Sequence, residues 1–147
     1  MFTFKPAIWR NSTLYELPRP VTLLRLQDSW DITRFKVPLA AGDIVAGTSR
    51  NGLDVAIEGQ LAAQAGQPVA GEEQMFLELE TLRTQLDVTD PDTFELFLYH
   101  DSPSGTYRSL RGCTTLRFDY DLSSPRLFTY SIAIHAADPT IYTAAPA

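Results

Sequence analysis

Between residues 72 and 86 the apolar side chains Met75, Leu79, Leu82 and Leu86 recur at i, i+4, i+7 and i+11, which is one stripe of an α-helix. Glu72 and Glu73 fall in its first turn, where negative charge favours the positive end of the helix dipole. The pattern predicts this one helix. Before and after it the period drops to two, the period of strands. Leu53, Val55 and Ile57 point one way and Asp54, Ala56 and Glu58 the other. Phe94, Leu96 and Leu98 share a face opposite Glu95, Phe97 and Tyr99. Residues 115–122 alternate most cleanly, with Leu116, Phe118, Tyr120 and Leu122 predicted to face inward and Arg117, Asp119 and Asp121 to face water. Phe128, Tyr130, Ile132 and Ile134 repeat the pattern until Asp138-Pro139 stops the strand.

The stretches between these elements read as turns and lighter strands. Residues 1–20 mix aromatics with Pro6, Pro18 and Pro20 and predict an extended N-terminal arm with short strand pieces. Residues 21–26 form a strand, and Trp30 and Ile32 begin another. Residues 43–46, Asn51-Gly52 and 53–61 predict a hairpin, because Asn-Gly tolerates the positive φ of tight turns. Residues 62–71 are small and uncharged, a flexible lead into the helix. No repeat and no second domain is visible. Strands, one helix, then strands predict a single domain over residues 1–147: α+β, mostly β, a β-sandwich or split barrel with one packed helix and a β-hairpin.

Composition narrows the function classes. With 44% hydrophobic and 20% charged residues the chain is globular rather than disordered. Its apolar runs are too short to span a bilayer, so no membrane partner is expected, and no signal peptide is evident at its start. The one cysteine, Cys113, cannot form an internal disulfide, which suits a reducing cytoplasm. A net charge of −6 disfavours a Lys/Arg grip on phosphates, though not a surface past which nucleic acid slides. His100 and His135 lack the orienting partner and nucleophile that general-base chemistry needs, and read as surface or turn-side residues. Two histidines and a cysteine at these separations make no metal-ligand set, and Cys113 reads as a buried filler. Gly42, Gly47 and Gly52 are too widely spaced for a phosphate loop. No catalytic, cofactor or metal site is expected, and the chain is read as no enzyme.

The order of parts from Leu53 onward resembles the distal tail protein family of long-tailed bacteriophages. The pieces are the strand Leu53-Asp-Val-Ala-Ile-Glu-Gly59, the helix with Met75 to Leu86, and the strand 94–99. They continue with the turn Asp101-Ser-Pro-Ser-Gly-Thr-Tyr-Arg108 and the final strand running into Asp138-Pro-Thr-Ile-Tyr142. The resemblance covers roughly two-thirds of the chain. It implies a tail-tube-like β-sandwich with one helix and an extended β-hairpin, assembled as a homohexameric ring. Such a ring would join the tail-tube protein to the baseplate hub and tail-fibre proteins at the tip of the virion. Genome DNA would pass through its lumen without specific binding. Many members continue past the position of Tyr142 into a second domain. A short version would keep the ring and give up the peripheral docking platform.

A ring needs a heterologous contact, one surface of each subunit meeting a different surface of the next. The candidates are the region 43–71, with Asn51, Gly52, Leu61 and Val69, meeting an open sheet edge, with Phe76 of the helix turned toward the joint. Two alternatives stand beside this reading. One is a tail-tube subunit proper. The other is a small carbohydrate-binding β-sandwich using Trp9 and Trp30 as a stacking platform.

Overall fold

The computed structural model describes residues 4–18, 21–62, 72–89, 91–124 and 127–146. Nine strands and one helix follow in chain order among them: β1 (Ala7–Arg10), β2 (Thr13–Glu16), β3 (Val21–Gln27), β4 (Trp30–Lys36), β5 (Asp43–Arg50), β6 (Leu53–Ala62), α1 (Glu72–Leu86), β7 (Phe94–Asp101), β8 (Thr106–Ser124) and β9 (Leu127–Ala136). Seven strands make one antiparallel sheet in the order β2-β1-β7-β8-β9-β6-β3, and β4 and β5 pair separately. The large sheet curls into a half-barrel, so the chain is mostly β with one helix.

Helix α1 has the boundaries the apolar spacing predicts. Met75, Leu79, Leu82 and Leu86 are buried against the sheet, and Glu78 and Arg83 face solvent. Its C-terminal carbonyls, which have no partner inside the helix, are capped from two strands. Arg10 donates to the carbonyls of Thr84 and Gln85, and the Thr115 hydroxyl donates to Leu86 O at 2.8 Å. These bonds fix the helix over the sheet's concave face. There Val55, Ile57, Leu96, Leu110, Ile132 and Ile134 supply the core, and β9 alternates buried and half-buried along its whole length.

The N-terminal stretch carries the short strand pieces expected of it, but they fold back into the sheet rather than extending as an arm. Asn11 and Ser12 both adopt positive φ (52° and 59°), the geometry of a two-residue hairpin turn whose twist matches the strands. That turn folds β2 back on β1, and β1 joins the main sheet beside β7, burying Ala7 and Ile8 completely.

The predicted hairpin turn at Asn51-Gly52 is not there. β5 pairs with β4, from Trp30↔Arg50 to Lys36↔Asp43, and the chain turns through residues 37–42, with Leu39 and Gly42 at positive φ. Asn51-Gly52 instead joins β5 to β6. Asn51 N–H donates to Ser29 O at 2.9 Å, and Gly52 lies so close to β9 that an added Cβ would sit 2.6 Å from Ala136 O. The glycine serves a close backbone approach rather than a turn.

The inward assignment of residues 116–122 holds for the facing of Phe118 and Tyr120, which lie opposite buried Ile132 and Tyr130, and is corrected for Leu116 and for the burial of Tyr120 and Leu122. Leu116 is 62% exposed, Tyr120 42% and Leu122 39%, and of the four only Phe118 packs partly against the core. The ladder to β9 slips between Thr115 and Arg117, an extra residue that flips Leu116 to the convex face. Tyr120 and Leu122 lie farther along β8. The pairing of β8 with β7 has by then ended at Phe94↔Cys113, which leaves that edge open among the described residues.

Candidate assembly surfaces

The two strands β3 and β6 pair inside the sheet, and each continues outward, β3 into β4 and β5 into β6, so that one ribbon leaves the body as an arm. Every residue from 30 to 50 is exposed. Strand alternation puts Trp30, Ile32, Arg34 and Lys36 on one face of β4, opposite Arg50, Thr48, Val45 and Asp43 of β5. The other face carries Phe35 and Ile44 near the tip. At the base, Arg50 stacks over the Trp30 ring with its guanidinium 5.6 Å from the centroid and pairs with Asp28 at 2.8 Å. Lys36 donates to the carbonyls of Ala40 and Gly42, tying the turn. Thus the arm is internally braced yet buries none of its apolar side chains against its own body.

A second surface is the convex face of β8, β9, β6 and β3. It carries Asp54, Glu58, Asp119 and Asp121, with Arg25 and Arg117, among small neutral residues such as Ala56, Ser131 and Ala133. Two of the carboxylates have partners: Asp54 with His135 at 2.8 Å, and Asp119 with Arg117 at 3.0 Å. Bonds from Ser123 hold the Asp121 carboxyl below the usual carboxylate range, so it is ionised at neutral pH. A shallow hollow of about 380 Å³ opens there, lined by Glu58, Gln60, Asp119, Asp121, Thr129 and Ser131. The third surface is the outer side of α1, where Phe76 and Leu77 are 42% and 54% exposed beside Glu73 and Glu80.

The residues with catalytic side chains are scattered. His135 bonds Asp54 on the convex face; His100, at the far end of β7, has a buried Nε2 without a partner. Burial pushes the Cys113 thiol up to about 12, which keeps it protonated and unreactive at neutral pH. Among the described residues no group of three or more His, Cys, Asp or Glu could hold a metal, and no helix is long and apolar enough to cross a membrane. Trp9 lies half-buried on β1 in the large sheet and Trp30 exposed on β4 in the small one.

Of the candidate interface residues, Asn51 is exposed at the base of the arm and Gly52 half-buried beside His135. Phe76 is exposed on the helix. Leu61 is 2% exposed and belongs to the core, so it is withdrawn as a surface residue. Val69 lies outside the described residues. The sequence reading places a strand at 43–46 and the joint in 43–71 but pairs that strand with 53–61, and so misses that residues 30–36 form the other half of the arm.

Comparison with solved structures places this architecture. The crystal structure of the SPP1 Dit protein, described as a paradigm of the hub adsorption apparatus in Gram-positive infecting phages, superposes with a TM-score of 0.67 at 14% identity. The alignment covers 96% of this chain and 52% of that one, so the chain spans about half the length of SPP1 Dit. The fold is a phage tail fold. A chain from the tail of an empty gene transfer agent particle, solved with C6 symmetry, matches at TM-score 0.54 and 10% identity over 97% of this chain and 96% of that one. A chain from the native gene transfer agent virion matches at 0.51 and 10% identity, covering 97% and 95%. No protein-family model and no curated protein matches the sequence.

Proposed function

We propose that the chain is a structural subunit of a phage tail that forms a distal ring between the tail tube and the hub. The observation that carries this reading is the fold likeness to SPP1 Dit over 96% of the chain. It is a fold likeness alone at 14% identity; the physical features on the surface give it content. An arm of exposed Trp, Ile, Val and Phe side chains is costly for a free monomer and reads as an assembly surface. The sheet ends on β3 at one side and leaves the last part of β8 open at another, and such edges are ready to pair with a neighbour. Six copies are the number suggested by the C6 symmetry of the gene transfer agent tail.

On this reading the convex face with Asp54, Glu58, Asp119 and Asp121 lines the channel. Fixed carboxylates repel phosphate, so duplex DNA passes without being held. The acidity of the whole chain agrees with that role, and no catalytic group is needed for it. The subunit is one ring-forming domain, located in the virion tail after synthesis in the host cytoplasm, with tube, hub and tail-fibre proteins as neighbours. A tail-tube subunit proper is the second reading, favoured by the near-complete mutual coverage with the gene transfer agent tail chain.

Light scattering on the purified protein, with negative-stain microscopy, tests both. A distal ring subunit gives closed rings that stay single as concentration rises, whereas a tube subunit stacks into lengthening tubes. A protein that remains monomeric up to near-millimolar concentration would remove the ring reading.

A further inference from the structure

Resting on the ring reading, we propose that the β4–β5 arm of one subunit lies along the outer side of α1 of a second copy of this chain. Each surface has what the other lacks. The arm face offers Trp30, Ile32 and Val45 beside Arg34, which has no ion-pair partner among the described residues. The helix offers Leu77 and Phe76 flanked by Glu73 and Glu80, equally without ion pairs there.

The helical turn of 100° per residue sets Glu73, Leu77 and Glu80 on the side opposite the buried stripe, with Phe76 at its margin. An apolar strip bounded by carboxylates thus meets an apolar strip carrying a guanidinium. The strand and the helix that carry these strips are of one length. Seven residues of strand at ~3.3 Å each give about 23 Å, and fifteen residues of helix at ~1.5 Å each give about 22 Å. The subunit's own helix is not the receptor, since every residue from 30 to 50 is exposed in the single chain. The contact joins two different surfaces, so it propagates around a ring rather than closing a pair. Docking covers Trp30, Ile32 and Val45 of the arm and Phe76 and Leu77 of the helix, all exposed in the free subunit.

Charge exchange tests this docking. Arg34→Glu alone, and Glu73→Arg with Glu80→Arg, should each weaken assembly by about tenfold or more, since each turns attraction into repulsion. The three substitutions combined should restore it. In a Cys113→Ser background, Ile32→Cys with Leu77→Cys should give a disulfide ladder of covalent oligomers under oxidation, and neither cysteine alone should. The arm and the outer helix stripe bury nothing in the monomer, so circular dichroism should be unchanged in all variants. Assembly unaffected by the single-surface reversals, or not regained in the combined variant, or a cysteine pair without the ladder, would overturn the docking and leave the ring reading standing. A parent protein that forms no oligomer would overturn both.

Discussion

The ribbon that runs from β3/β6 into β4/β5 consists of two successive strand pairs with opposite fates. Its inner half carries Val55 and Ile57, 2% and 0% exposed; its outer half carries Ile32 and Phe35, 49% and 59% exposed. The local sequence barely differs, because both halves alternate apolar and polar residues and both are fully paired. The difference is the layer above. α1 covers the inner half, and none of the described residues covers the outer one. Alternation is therefore a statement about which side chains share a face. It does not say whether that face belongs to the subunit's core or to a neighbour.

Substitutions on the two halves sharpen this contrast. The largest effect is expected at the helix that makes the inner half a core. Leu79→Ala should lower stability by about 2–5 kcal/mol in denaturant titrations, because removing a buried side chain loses its transfer energy and leaves a cavity. A midpoint shift too small to measure would mean that α1 does not seal the sheet.

The junction between the halves comes next. In Gly52→Ala the new methyl meets a carbonyl oxygen of β9 2.6 Å away, which cannot yield without moving that strand, and the His135 ring, which can swing aside only by giving up its bond to Asp54. A loss of about 1–3 kcal/mol is expected, the usual range for overpacking, with the arm's direction changed as well. Retained stability together with unchanged assembly would show that the junction is slack.

Solution pH distinguishes the core from the arm in a third way. Cys113 has its pKa raised from 9.0 to about 12 by burial. Above pH 9 an unfolded chain releases that proton while the folded one keeps it, so the contribution is fully present below pH 9 and is lost as pH rises toward 12. Stability should fall by about 1 kcal/mol between pH 9 and pH 10 from this group, given ~1.36 kcal/mol per pH unit for one proton. In Cys113→Ala that portion of the slope should vanish. An equal slope in both proteins would assign the loss to other groups.

The smallest expected change is the most informative. Ile32→Ser should alter monomer stability by less than about 0.5 kcal/mol, as surface substitutions do, while it impairs assembly. A large loss of monomer stability would mean that the arm folds onto its own subunit in solution.

Much of the inner layer was legible from residue spacing. The helix stripe at Met75, Leu79, Leu82 and Leu86 needs only its own periodicity, and the faces of β6 and β9 needed only theirs. The failures share a cause. Asn51-Gly52 carries the local signature of a tight turn, yet β5 finds β4 instead, because Ser29 O accepts the Asn51 N–H and the ribbon is completed from upstream. Leu116 loses its inward place to a single extra residue in the ladder with β9. The candidate interface had the same difficulty. Phe76 stands exposed where its helical angle put it, but Leu61, seemingly in a stretch with little to bury against, is drawn into the core.

By itself, then, the sequence determined the elements whose stability comes from within or from a regular face: one amphipathic helix and the alternating strands. Turn partners, bulges, open edges and the arm that projects into solvent were decided by the tertiary structure alone. The reason is physical. Periodicity is set by the 100° and 180° steps of the local backbone, whereas pairing and coverage depend on hydrogen bonds and contacts made by residues far apart in the chain. Trp30 and Ile57 obey the same alternation, and only the element packed above each tells them apart.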